Sequence, residues 1–394
     1  MRFLIPLFIF IAIPLSILAQ DNKYLSASYF TGPVYDHRNI SSILPMGTAR
    51  GVGVEYLHSA SGADKYHSRY RYPNFGYAAY YEDAGNRDVL GHAFSAAIVS
   101  QFHIIRQSLA QLNMNLQVGM GYNSKKFDSR DNPTNMLIGS HLSAFFRIAP
   151  ELVLMPFGRV SPLLGLNFVH YSNGRIKLPN LGLNFAQINV GCRLRLNADL
   201  REPLSPDEAR NAGSTGIVER QRLTFSLSAG VREYTQPEGD KYLVMMLSGS
   251  YVLPLWQSKC SIGAGFDVKR DGALANFYAD PHFSDLVTVG LRGGAFMRFS
   301  SSIEAGIEFG GWVFSDKDHV SGMYDRVSVN YYPWENRNFY FHVGLNTTLM
   351  KAQFIEWGVG IPVLVDKKKK MKFFFEKFTL NLCNYSKKII NFVV

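Results

Sequence analysis

Along most of the chain, apolar and polar residues alternate one for one. Leu112, Met114, Leu116, Val118, Met120 and Tyr122 are apolar or aromatic, while Gln111, Asn113, Asn115, Gln117, Gly119 and Gly121 are polar or glycine. A period of two sends the two sets to opposite faces of a β-strand, whereas a helix would repeat near 3.6 residues. The alternation returns over 223–231, 287–298, 303–310 and 339–349, where Arg292, Arg298, Glu304 and Glu308 all fall on the polar parity. Strands of a soluble sandwich average about 5–6 residues, and a tilted strand needs roughly 10 to cross a bilayer. The runs here are of the second kind. They predict an all-β fold, a transmembrane antiparallel up-and-down β-barrel of about 14 strands (12–16) with its apolar column turned to lipid. Polar stretches at 59–75, 198–221 and 271–284 read as surface loops, and 20–366 reads as one barrel domain.

Composition removes the alternatives. Hydrophobic residues make up 47% of the 394, enough apolar surface to offset the entropy of ordering, so the chain is not disordered. Beyond the N-terminus no run of 18 apolar residues would make a spanning helix. Cys192, Cys260 and Cys383 are too few and too scattered for a disulfide scaffold. Arg2 followed by an apolar stretch to Ala19 reads as a secretory signal peptide over 1–19, which sends the chain to the outer membrane. The net charge of +10 is concentrated in the tail 367–394, where eight lysines stand against Glu376. With Arg2 set aside, the body carries only +2, so no nucleic-acid partner is implied. The tail is compatible with a weak strand over 375–382 or with an appendage of uncertain structure.

One strand departs from the barrel pattern in a chemically useful way. Leu164, Leu166 and Phe168 form its lipid column, and the same parity ends in His170 and Ser172. Two residues along a strand lie about 6.6 Å apart, within reach of an imidazole and a hydroxyl acting as base and nucleophile. The next apolar column begins at Asn184, and a short connection makes the two strands neighbours. Polar groups on a lipid face are costly unless used, but on the short motif alone an interfacial histidine and serine read first as groups that simply meet headgroups. His141 reads as an interior residue on the lumen parity, and the remaining histidines show no metal spacing. Asp128, Asp131 and Glu151 read as solvated acids near strand ends, and no metal site is expected.

The longer stretch resembles the lipid A 3-O-deacylase and acyloxyacyl hydrolase-type family. The carrying residues are His170-Tyr171-Ser172-Asn173-Gly174, Lys177, Pro179-Asn180, Gly182 and Asn184, preceded by Asn132-Pro133, Asn135 and Ile138-Gly139-Ser140. The resemblance covers about 115–195. It implies a barrel esterase acting on lipid A, with Ser172 as nucleophile, His170 as base, and Asn173 and Asn180 as oxyanion donors. Gly174, Arg175 and Lys177 fall in the same loop, where the two cations could contact lipid phosphates, as any basic loop at an anionic surface would. No cofactor is implied; the partners are lipopolysaccharide and the membrane. Where the family carries a glutamate as third member, this chain has Asn184. Either the amide suffices at a lower rate, or an acid from elsewhere substitutes, or the barrel is not an enzyme. The rival reading is a non-catalytic barrel: a porin or transporter, or a structural or adhesin protein.

Overall fold

The computed structural model describes residues 22–35, 47–60, 64–156, 158–197, 219–255, 260–314, 322–334, 337–349 and 351–365. The leader and the tail from Lys367 lie outside the described residues, as do most of 198–221 and their expectations. Sixteen antiparallel strands close into two barrels of eight each. The first contains β1 (Lys23–Pro33), β2 (Thr48–Ser59), β3 (Asn74–Asp83), β4 (His92–Arg106), β5 (Ala110–Asn123), β6 (Leu142–Leu154), β7 (Val160–Ser172) and β8 (Leu183–Arg195). The second contains β9 (Arg222–Glu233), β10 (Lys241–Leu255), β11 (Cys260–Asp271), β12 (Val287–Arg298), β13 (Ile303–Phe314), β14 (Met323–Tyr331), β15 (Tyr340–Thr348) and β16 (Lys351–Leu364).

The all-β expectation therefore holds, while the single barrel of about 14 strands over 20–366 does not. β8 turns back on β1, with Tyr24 opposite Arg195 and Thr31 opposite Ile188. β16 likewise returns to β9, pairing Leu364 with Arg222 and Glu356 with Gly230. Local alternation marks each strand but carries no information on which distant strand seals the sheet. The segment 198–221, read as a loop within one barrel, joins the two. Of the other predicted loops, 59–75 holds a short helix (Lys65–Arg69) and 271–284 a 3₁₀ turn (Gly272–Phe277).

The parity reading is confirmed strand by strand. On β7, Leu166 is 59% exposed on the outer wall, and the adjacent Asn167 is 4% exposed inside. Eight strands leave a lumen just wide enough to be filled by side chains. In the first barrel, Gln101, Asn115 and Asn74 form an amide ladder, with Gln101 Nε2 to Asn115 Oδ1 at 2.8 Å. Above it, Phe30, Tyr80, Phe145, Tyr171 and Phe185 form an aromatic plug, and the Arg147 guanidinium lies 4.4 Å from the Tyr80 ring centre. Glu151, expected to be solvated, is buried in this lumen and paired with Arg193 at 2.7 Å. In the second barrel the filling is ionic. Arg326 meets Asp267, Glu308 and Glu356 at 3.0–3.1 Å.

The barrels touch at both ends. At the end where β9 begins, Tyr70 Oη donates to the Arg298 carbonyl at 2.6 Å, and Ser301 N–H to Asp64 at 2.7 Å. Glu219 joins Tyr66, Arg298 and Arg337 there. At the opposite end, the β7–β8 connection leans on the second barrel.

Candidate active site at the barrel rim

The outward column of β7 climbs from Leu164 to Phe168 and ends in His170 and Ser172. Its parity is pinned from inside, because Tyr171 between them is buried in the lumen and donates to Glu82 at 2.5 Å. His170 stands opposite Asn184 of β8 in register, and its Nδ1 meets Asn184 Oδ1 at 2.6 Å. The ring's partner is thus an amide at the position where the resemblance calls for a carboxylate.

Ser172 and Asn184 are only 7% and 4% exposed although they belong to the outward column. The connection 173–182 folds back over them. Gly174 N–H donates to Ser172 Oγ at 3.2 Å, and Asn180 Nδ2 donates to it at 2.7 Å. Both contacts occupy lone pairs, so the hydroxyl proton is not spent on either. Ser172 and His170 share a column but make no direct hydrogen bond in this structure.

The eight predicted site residues divide by what they touch. His170, Ser172 and Asn184 come together, with Asn180 and Gly174 N–H on the hydroxyl. Asn173 is used up within the loop: its Nδ2 reaches Ser140 Oγ at 3.0 Å and the Lys177 carbonyl at 2.9 Å, and its Oδ1 accepts from Arg175 N–H. Its backbone N–H donates to Asn180 Oδ1 at 3.0 Å, which aims the Asn180 amide at Ser172. Arg175 turns away from Ser172. It donates to the Tyr234 carbonyl at 3.1 Å and Gln353 Oε1 at 3.2 Å. Burial and the neighbouring Arg232 guanidinium pull Arg175 below the usual arginine range. Lys177 is half-buried, and its carbonyl is the group engaged.

Two glycines make the cover possible. Gly182 has φ +86°, and a Cβ there would lie 2.7 Å from His170 Cε1. Gly174 has φ +62°, and its Cβ would lie 2.2 Å from Ile355 of the second barrel. Any side chain would displace the loop from the imidazole or from the neighbouring wall. The upstream residues Asn132, Asn135 and Ser140 are supports. Asn132 and Asn135 both donate to the Val89 carbonyl, and Leu137 O accepts from Gly182 N–H at 3.1 Å.

His141 is not an interior residue. It precedes β6, stacks on the outward Tyr122 ring at 5.5 Å and binds the Asn123 carbonyl. Asp128 is a loop acid: backbone N–H groups of Arg130 and Asp131, with Lys126 nearby, hold its carboxyl below the usual range. The sequence reading missed Glu233, Tyr234 and Gln353, which grip the site loop from the second barrel. No local signal marks them, since Gln353 lies 178 residues from the arginine it binds.

Comparisons with known proteins divide the chain where the barrels divide. Residues 50–193 match the family model "Lipid A 3-O-deacylase (PagL)", and residues 221–363 match "Acyloxyacyl hydrolase, C-terminal domain". No curated protein matches the chain. Among solved structures, the outer membrane enzyme PagL is 18% identical, covering 44% of this chain and 99% of that one, with a TM-score of 0.31. Acinetobacter baumannii Omp33 is 7% identical over 88% of this chain and 99% of that one, TM-score 0.17. The Neisseria meningitidis iron transporter FrpB is 8% identical over 87% and 70%, TM-score 0.22. Likenesses this low carry no argument, and the family matches stand without them. In this outer-membrane β-barrel protein the first barrel thus matches the lipid A 3-O-deacylase family model and the second the acyloxyacyl hydrolase C-terminal model.

Proposed function

We propose that the chain is an outer-membrane esterase that removes an ester-linked acyl chain from lipid A. The observation that carries this reading is that His170 and Ser172 end one outward column of β7 at the rim, with Asn184 of β8 bonded to His170, beside apolar wall. With Nδ1–H donated to Asn184 Oδ1, His170 keeps the Nε2 lone pair as base. It takes the Ser172 proton as Oγ attacks the ester carbonyl. The tetrahedral intermediate collapses to an acyl-serine and releases the sugar hydroxyl, which recovers the proton from His170. Water, deprotonated by the same imidazole, then frees the fatty acid and restores Ser172.

Gly174 N–H and the Asn180 amide, which both donate to Ser172 Oγ in this structure, are the donors at hand for the carbonyl oxygen as Oγ attacks. Asn184 orients the ring without stabilising the imidazolium by charge, so the reading includes a slower enzyme than one with a carboxylate. The filled lumens support an enzyme over a porin, because the unusual polar groups converge at the rim. The test is mass spectrometry of lipid A from cells expressing the protein or Ser172→Ala. The wild type should yield lipid A lighter by one acyl chain, and the variant should not. Identical lipid A from both would overturn the reading.

A further inference from the structure

The loop that covers Ser172 is held from two sides. On its own barrel it bonds the 132–140 segment. On the other side every anchor comes from the second barrel. Leu178 N–H donates to Glu233 Oε2 at 2.7 Å, and Glu233 N–H donates to the Arg175 carbonyl at 3.1 Å. Glu233 is itself only 1% exposed, so this carboxylate is buried against the loop and not left in solvent. Arg175 reaches Gln353 Oε1, which also accepts from Arg232 Nη1 at 2.9 Å. Both guanidiniums lie near the Tyr234 ring, at 5.7 and 4.7 Å from its centre. Gly174 sits directly on Ile355.

These contacts fall within the short stretch from Gly174 to Asn180, whose ends supply both hydrogen bonds to Ser172 Oγ. A backbone N–H and a side-chain amide are useful as donors only if the loop holds them still. Errors of about 1 Å in such groups cost up to about a hundredfold in rate. Strand pairing in the first barrel fixes His170 and Asn184, whereas the loop beyond the ends of β7 and β8 is held by the 132–140 segment on one side and the second barrel on the other.

We propose that the second barrel completes the active site from outside it, and that Glu233 is a positioning residue for Ser172, acting through Leu178 and the 174–180 loop. The proposal rests on the hydrolase reading for its catalytic consequence, but the clamp itself is measurable without turnover. The second barrel is then a part of the site's geometry, not an independent module.

The experiment uses the full chain in detergent micelles with lipid A as substrate, comparing Glu233→Ala, Glu233→Gln and Gln353→Ala. Heat-modifiable mobility on gels reports whether the barrels are folded, and trypsin reports cleavage after Arg175 and Lys177. The expected result for Glu233→Ala is a fall in kcat of about tenfold to a hundredfold with KM within about twofold, and rapid cleavage in the loop. Glu233→Gln keeps an acceptor for Leu178 N–H and should restore both rate and protection. Gln353→Ala should fall between them. Folded Glu233→Ala with wild-type kcat overturns the proposal, as does a Glu233→Gln that is no better than alanine. If the wild type turns over no lipid A while Glu233→Ala still opens the loop to trypsin, the hydrolase reading fails and the clamp stands. If neither rate nor cleavage changes in Glu233→Ala while the wild type is active, the clamp fails and the hydrolase reading stands.

Discussion

The two barrels share a strand number and an antiparallel order, yet they are filled in different ways. The first holds amide ladders and an aromatic plug, with Tyr171 wedged against Phe145 and Phe185 directly behind the rim that carries His170 and Ser172. The second is held by charge, with Arg326 alone contacting three carboxylates and Arg292, Arg222 and Arg298 adding further pairs. Both solve the same problem, since polar lumen-facing positions in a narrow barrel must satisfy one another. The aromatic solution gives stiff, close-packed backing to one end of the wall, which suits a site that must keep its geometry. The ionic solution is more uniform along the barrel and leaves the outer rim, with Glu233 and Gln353, as the part that acts on its neighbour.

The largest expected effect tests which barrel carries the chemistry. Ser172→Ala should lower deacylation by on the order of 10³-fold or more while both barrels remain folded, measured as released fatty acid. A residual rate close to wild type would remove the first barrel's claim to the site. Next in size is a pair of lumen substitutions. Arg326→Met leaves Asp267, Glu308 and Glu356 without their shared cation, and should destabilise the second barrel by about 3–5 kcal/mol. Arg147→Met removes a guanidinium stacked on Tyr80 and Phe30, and should cost the first barrel only about 1–2 kcal/mol. Denaturant midpoints in detergent would decide it; equal losses would erase the distinction between ionic and aromatic filling.

A smaller effect separates the barrels by pH. Burial alone would raise the Glu219 carboxyl, but Arg298, the Tyr66 hydroxyl and Arg337 override it and lower it from 4.5 to about 2. A depressed acid contributes stability that is complete above its unfolded value and is lost as pH falls through the folded one. The contact between barrels at Glu219 should therefore weaken between pH 4.5 and about 2, by on the order of 2–3 kcal/mol. Glu219→Gln should flatten that part of the pH profile of the unfolding midpoint, and an unchanged slope would show that the pairing does not hold the barrels. The smallest effect lies at the site. Asn184→Glu places a carboxylate on His170 Nδ1, and a charge-assisted bond exceeds a neutral one by about 1 kcal/mol, or roughly fivefold in kcat. A rate that falls instead would show that Asn184 is tuned to this loop and not a weakened form of the acid.

Much of the wall was legible in the chain. The alternation around Gln111–Tyr122 fixes which side chains meet lipid, and the same parity put His170, Ser172 and Asn184 together outside before any strand was paired. Glu151 and His141 were misread for a related reason. Each lies at or near a strand end, where the outward or inward sense depends on which neighbours close over it. Glu151 is taken into the lumen by Arg193, and His141 is laid flat on Tyr122.

What the sequence by itself determined is local. Period-two alternation selects strands, their faces and their lipid-crossing length, because each side chain's direction follows from its own backbone. What only the tertiary structure decided is closure and contact between distant segments. Whether eight strands or fourteen complete a ring depends on the pairing of β1 with β8 and of β9 with β16, set by twist and register over the whole sheet. The grip of Glu233 and Gln353 on the Ser172 loop depends in turn on where a second closed ring comes to rest. Neither is written in any window of the chain, because both are made by residues whose neighbours are chosen only once the barrels have formed.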